Sequence, residues 1–175
     1  MRERLSDRVL IARFRRICAR NSTYRTRLPG YAGIVDQVER IVANDDRRIR
    51  TIVHADLRDL FTNPVLRMLR PAVRRWPSPA ARIMAGVMPT GFRWLVGPLR
   101  RSSANSVEIR QCRFLRECGE QACLRVCKRP TQEFFAEYVG IDVELDPDPI
   151  RGCCVIRFGN RGAPPERAGT LQASR

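Results

Sequence analysis

Six of the seven cysteines of this 175-residue chain lie between Cys112 and Cys154. They follow the pattern Cys112-x5-Cys118-x4-Cys123-x3-Cys127, with Cys153-Cys154 further on, while Cys18 stands apart. If residues 123–127 are helical, Cys123 and Cys127 share one face with their β-carbons about 5–6 Å apart. Thiolates at that separation can share a metal or a cluster. Iron–sulfur clusters are usually held by four thiolates, and thiolate-rich sites also suit zinc or copper(I). The spacing is neither the paired C-x2-C of a zinc ribbon nor the C-x2-C-x2-C run of bacterial ferredoxins. A redox dithiol without metal, or buried free cysteines acting as small apolar side chains, are the other readings of the same pattern. Lys128 and Arg129 follow Cys127 directly, and positive charge there favours the thiolate. His54 is the only histidine. It reads as a surface or satisfied core residue near Asp56, and one chain cannot build a His-rich iron triad from it.

Charge divides the chain. Residues 1–101 carry 22 Arg against 8 acidic residues, whereas residues 102–175 carry 11 Lys and Arg against 10. A basic first part attracts an anionic membrane surface or nucleic acid. Its aromatics are sparse and no helix-turn-helix or finger spacing is present, so nucleic acid is not the expected partner. The bias is also compositional, since Lys128 is the only lysine among 33 basic residues. No apolar run reaches the roughly 18–20 residues of a membrane-spanning helix, and the N-terminus lacks the pattern of a secretory signal. A reducing compartment is therefore expected, which favours metal or redox chemistry over disulfides.

The elements that must position the cysteines follow from periodicity. Leu5, Val9, Leu10, Phe14 and Ile17 predict a basic amphipathic helix ended by Leu28-Pro29-Gly30. Ile34, Val35, Val38, Ile41 and Val42 form the stripe of a second helix. Asn44-Asp45 breaks it and caps a third, which carries Ile49, Ile52, Val53, Leu57, Leu60 and Phe61. Asn63-Pro64 and Ser78-Pro79 read as helix starts, with Val65, Leu66, Leu69 and Val73 as the buried face between them. The most apolar segment, Ala80 to Leu99, reads as two short core helices broken at Pro89, although Trp94 with its flanking arginines also suits a membrane interface.

After Ser103, Val107 and Ile109 alternate as a weak strand. Residues 113–127 read as helix or cysteine-bearing loop. Thr131 is expected to cap a helix carrying Phe134, Phe135 and Tyr138, ended by Gly140. Ile141, Val143 and Leu145, a turn over Asp146–Gly152, then Cys154, Ile156 and Phe158 predict an antiparallel strand pair. The fold class is α+β, a helical N-terminal layer followed by this small pair in the cysteine-rich half. Residues 1–160 form one domain, and the tail 161–175 is expected to be disordered.

These residues resemble a known family. Cys123-Leu124-Arg125-Val126-Cys127, followed by Lys128-Arg129-Pro130-Thr131-Gln132-Glu133-Phe134-Phe135, is similar to the signature of the iron-containing all-trans/9-cis β-carotene isomerases. Those are plastid enzymes of strigolactone biosynthesis, with bacterial and algal relatives. Gly30-Tyr31-Ala32-Gly33, Trp94-Leu95-Val96-Gly97-Pro98, Cys112-Arg113-Phe114-Leu115 and Cys154-Val155-Ile156-Arg157-Phe158-Gly159 occur in the expected order, so the resemblance covers residues 28–160. It implies a cis/trans isomerase acting on a double bond of β-carotene or a related polyene through cysteine-ligated iron, mononuclear or in a cluster. By resemblance, Cys112, Cys123, Cys127 and Cys154 fall on family cysteine positions. Cys118 lies beside a further one, offset by a slightly longer loop, and completes the expected ligand set. Cys153 and Cys18 have no counterpart.

Lys128, Thr131 and Gln132, next to the cysteines, are the candidates to orient the chemistry. The implied partners are a lipophilic polyene and an anionic membrane touched peripherally. Because the chain starts close to the domain, a bacterial, cytoplasmic protein at the inner face of a membrane is expected. The alternative is a non-catalytic iron–sulfur or thiolate-metal protein of electron transfer or sensing.

Overall fold

The computed structural model describes residues 4–61 and 64–159, the latter with backbone alone for 64–69. Helix α1 (Leu5–Ser22) packs on α2 (Gly30–Val42) and α3 (Asp46–Leu60). The stripe on α2 is buried as its periodicity predicts, through Tyr31, Ile34, Val38 and Ile41. Asp45 caps α3 by accepting a 2.9 Å hydrogen bond from the Arg48 backbone N–H, which satisfies one of the free donors of the first turn. The α1 stripe is rotated from the expected one. Ile11, Ile17 and Cys18 are buried, whereas Leu5 and Val9 are exposed. The helix also stops earlier, at Thr23 in the left-handed conformation with φ 62°, and Pro29-Gly30 starts α2 instead of ending α1.

Helix α4 spans Pro64–Arg75 and α5 spans Pro77–Gly91. Asn63, and the side chains of Val65, Leu66 and Leu69, lie outside the described residues. Helix α5 begins two residues before the expected Pro79, with Trp76 at its cap. Pro89 does not break it; the helix runs on to Gly91. A proline two residues from the end removes a hydrogen bond only from the last turn, where the cost is least. The short α6 (Arg93–Val96) then buries Trp94, whose ring meets Phe14 edge-on at 5.5 Å and whose Nε1–H donates to the Gly91 carbonyl at 2.8 Å. Trp94 is therefore a core residue and not an interfacial one.

The sheet has four antiparallel strands, not two: β1 (Leu99–Arg101), β2 (Ser106–Ile109), β3 (Val143–Asp148) and β4 (Cys153–Phe158), in the order β1-β2-β4-β3. The expected pair is β3 and β4. Strand β1 was illegible because three residues, two of them exposed arginines, carry no alternation. On β2, β3 and β4 alternation is clear: Val107, Ile109, Val143, Leu145, Cys154, Ile156 and Phe158 all point inward. Helix α5 covers this face with Ala81, Ala85 and Met88. The expected tail beyond residue 160 lies outside the described residues.

Between β2 and β3 runs a nearly unbroken helical segment. Helix α7 (Arg113–Ala122) kinks at Gly119 (φ 84°), widens into a π-helical turn at Cys123–Lys128, continues as α8 (Arg129–Phe134) and ends in a second π turn at Phe135–Val139. Gly140, in the left-handed region, terminates it as expected. Thr131 caps nothing, because the helix passes through it. A π turn is one of the places where a helix absorbs a local irregularity, and here it precedes Pro130, which cannot donate a backbone bond. His54 on α3 packs against Phe134 and Tyr138, and its Nε2–H donates to the Pro130 carbonyl at 3.1 Å. Burial lowers its pKa, so it is a satisfied neutral core residue.

Gly97, at φ +95°, lets the chain leaving α6 pass directly over the backbone that leads into Cys112. A Cβ there would stand 2.8 Å from the Gln111 carbonyl oxygen. Gly97→Ala is expected to lower stability by about 1–3 kcal/mol through positive-φ strain alone, and by more if the carbonyl cannot yield. Urea denaturation followed by circular dichroism measures the loss.

Candidate functional site

Cys112 is placed by two separate contacts. It lies three residues beyond Ile109, which pairs with Cys154 across β2 and β4. Its own backbone N–H donates to the Gly152 carbonyl at 2.8 Å, in the turn that leads into Cys153-Cys154. Cys123 and Cys127 arrive from the π turn. Arg125, between them, fixes that turn to the α2–α3 corner: its guanidinium donates to the Val42 and Asn44 carbonyls at 2.9 Å and to Asp46 at 2.8 Å. The Val42 carbonyl is a free acceptor at the end of α2, so Arg125 caps one helix while positioning two thiols.

The Cys127 thiol hydrogen-bonds Cys123. This bond, helped by the Lys128 ammonium, holds Cys123 below the ordinary thiol range; the same bond and then burial raise Cys127. Cys127 also feels Cys112 and Cys154, and Cys154 feels Cys112 and Cys123. Burial raises Cys112 and pushes Cys154 up to about 12. Thiols from three separated segments, Cys112, Cys123 with Cys127, and Cys154, thus stand within electrostatic reach of one another. Cys118 is at the margin. Burial pushes it up to about 12, assisted by the Glu117 and Glu39 carboxylates ahead of Cys112 and Cys123. Cys153 is half-buried on the opposite side of β4.

The other candidates separate. Lys128 sits beside Cys123 and acts on it electrostatically. Gln132 accepts the Leu145 backbone N–H at 3.1 Å and so ties α8 to β3. Thr131 lines a cavity of about 80 Å³ between the helices, together with Cys127, Cys18, Gln37 and Asp56. Sequence reasoning set Cys18 aside and passed over Asp56 and Gln37. Periodicity could have found Asp56, which continues the Ile49, Ile52 and Val53 stripe and is buried with it. Burial pushes Asp56 up to about 6, against the opposing hydrogen bonds from Asn21 (2.8 Å) and the Cys18 thiol. The Gln37 side-chain oxygen has no partner in this interior.

In kind, the donor set fits iron: several soft thiols, buried together. Among the described residues, no three His, Cys, Asp or Glu side chains are arranged to hold a metal ion as they stand. Closing on one would require the raised thiols to release protons.

Residues 94–167 match the family model described as β-carotene isomerase D27-like, C-terminal. The chain is 33% identical over 109 residues to the chloroplastic β-carotene isomerase D27 of Medicago truncatula, covering 57% of this chain and 42% of that protein. It is 29% identical over 147 residues to the protein of the same name from Arabidopsis thaliana, covering 78% and 54% respectively. The chain thus spans about half the length of these curated relatives. No solved structure matches. The expected cytoplasmic, bacterial setting is corrected by these relatives, both described as chloroplastic, which point to a plastid. That expectation rested on where the chain begins, and a starting point carries no information about compartment.

Asp56 makes stability depend on pH. The folded chain holds its proton more tightly than the unfolded chain, whose carboxyl titrates near the ordinary 3.8. Stability from this group is therefore full below that value and falls as pH rises to about 6, by about 3 kcal/mol at most. Asp56→Asn stays neutral. It should remove this slope and match or exceed the parent by about 1–3 kcal/mol at neutral pH. Urea midpoints measured across the acidic and neutral range test this.

Proposed function

We propose that this chain, whose residues 94–167 match the model described as β-carotene isomerase D27-like, C-terminal, is a cis/trans isomerase of β-carotene or a related polyene that works through cysteine-ligated iron. What supports the reading is that the Cys112 backbone is bonded to the turn leading into Cys154, with Cys123 and Cys127 one turn apart on the helix that follows Cys112. Those four would hold the metal, with Cys118 as an outlying fifth candidate.

Thiolate-bound iron supplies a Lewis-acid or one-electron site able to lower the order of a carbon–carbon double bond. Isomerisation consumes no co-substrate, so the chain must bind, orient and shield. Cys123 is the thiol most ready to act as a thiolate, and Lys128 offsets its charge. The high-lying thiols of Cys112, Cys127 and Cys154 shed protons on ligation. Thr131 lines the same cavity as Cys127 and is the candidate to orient a bound group. Gln132, engaged with β3, positions the helix.

The cavity of about 80 Å³ is far below the ~300–1,000 Å³ of sites that enclose drug-sized ligands. A long polyene is therefore not enclosed in this cavity; it lies along the open surface, where a groove of about 590 Å³ is lined by Ile11, Tyr31 and Arg113. Such a substrate resides in bilayers, so the protein meets an anionic membrane peripherally, in a plastid setting taken from its relatives. Residues 1–160 act as one unit in this reading.

Iron and acid-labile sulfide analysis, the visible spectrum, and chromatography of isomers after incubation with all-trans β-carotene test the proposal together. The parent should retain iron and form the cis isomer. Cys112→Ser, Cys123→Ser, Cys127→Ser and Cys154→Ser should each lower iron retention and turnover by at least about tenfold, while Cys153→Ser and Cys18→Ser keep both. Iron without isomerisation would favour the electron-transfer or sensing alternative. Unchanged iron in all four variants would remove the thiol cluster as its site.

A further inference from the structure

Between Leu60 and Val107 the chain carries eight arginines and no aspartate or glutamate. In the middle of that stretch lies α5, whose two sides are used in opposite ways. Its inner side presents Ala81, Ala85 and Met88 to the sheet. Its outer side presents Ile83 and Val87, 64% and 57% exposed, and Trp76 at the cap is 59% exposed. The three stand seven and four residues apart, the spacing that keeps side chains along one side of a helix. A lone exposed apolar residue is ordinary. Here a tryptophan and two branched aliphatics are aligned on one element, beside the exposed Arg75 and Arg82. Neither arginine forms an ion pair among the described residues.

We infer that this outer face of α5, with Trp76 at its head, docks the protein on an anionic lipid bilayer. The chemistry of the surface matches that partner. Aliphatic side chains enter the acyl boundary, tryptophan prefers the headgroup level, and unpaired arginines meet lipid phosphates. No helix among the described residues is long and apolar enough to cross a membrane, so α5 lies in the plane of the interface. Duplex nucleic acid would use the arginines and leave Ile83, Val87 and Trp76 without a role. A second copy of the chain would use the apolar residues but would bring two +15 chains together. Helix α5 packs on β4, the strand of Cys154, so docking sets the lipid on one side of α5 and the sheet with its thiols on the other. Only the purpose of docking, access to a bilayer-resident polyene, rests on the isomerase proposal; the surface argument stands without it.

The test is co-sedimentation of the full chain with vesicles of phosphatidylcholine alone, and of phosphatidylcholine mixed with phosphatidylglycerol, at low and high salt. The parent should bind the mixed vesicles, lose binding as salt rises, and bind neutral vesicles weakly. Ile83→Glu with Val87→Glu should weaken binding about tenfold, and Arg82→Glu at least about fivefold. All three positions are exposed, and circular dichroism verifies that the variants fold. Equal binding to neutral and anionic vesicles, or unchanged binding by the double variant, overturns the inference. So does a dimer that the double variant dissociates without altering vesicle binding. Duplex DNA binding that Arg82→Glu weakens, with parent-like vesicle binding in every variant, also overturns it. Vesicle binding without any isomerisation upholds the docking face while removing the polyene reading. Isomerisation of detergent-dispersed carotenoid without vesicle binding does the reverse.

Discussion

The cysteine site depends on one long-range pairing, the entry of β4 between β2 and β3. It sets Cys154 opposite Ile109 and brings the turn at Gly152 onto the backbone of Cys112. Closing so long a loop costs entropy that grows only slowly with its length. The return lies in the inward side chains of the strands, Val107, Ile109, Ile156 and Phe158, each nearly sealed from solvent. Full burial of such a side chain is worth roughly 1.5–3 kcal/mol. Were β4 to slip by one residue, Cys153 would replace Cys154 on the inner face and the inward row would turn to solvent. The hydrophobic core and the thiol site thus enforce the same register.

The second requirement is a helix that arrives at the right height. Gly119 bends it, the π turn widens it, and Arg125 clamps it to the corner between α2 and α3. Placing two thiols at the core boundary in this way has electrostatic consequences. Burial holds most of the cysteines protonated, while the bond from Cys127 and the charge of Lys128 draw Cys123 the other way. One thiol drawn toward thiolate thus stands among several that burial holds as acids. Asp56 and Cys18, which line the same cavity as Cys127, extend the polar lining without belonging to the cysteine pattern.

Function then divides between faces. The cavity lies among the helices, with Cys127 on its wall, while α5 separates part of the sheet that carries Cys154 from its own apolar, arginine-flanked outer surface. The cavity of about 80 Å³ is too small to enclose a drug-sized ligand, whereas the more open groove of about 590 Å³ lined by Ile11, Tyr31 and Arg113 is not. The chain spans about half of each curated relative, and all of its cysteines but Cys18 fall within residues 94–167, the part that matches the family model.

Local patterns determined what they physically encode. The α+β class, the stripes of α2 and α3, the cap at Asp45, the stop at Gly140 and the β3–β4 hairpin were legible because each depends on neighbours within a few residues. The i, i+4 relation of Cys123 and Cys127 belongs to the same group. The tertiary structure decided the rest, because periodicity gives a stripe but not the partner that covers it. Leu5 and Val9 fit a stripe yet face solvent, since α2 and α3 meet α1 along Ile11, Ile17 and Cys18. Thr131 looks like a cap, but a continuous helix leaves it no free donors to satisfy. Burial of Asp56, and the meeting of Cys112 with Cys154, come from contacts between residues far apart in the chain, which no local spacing contains.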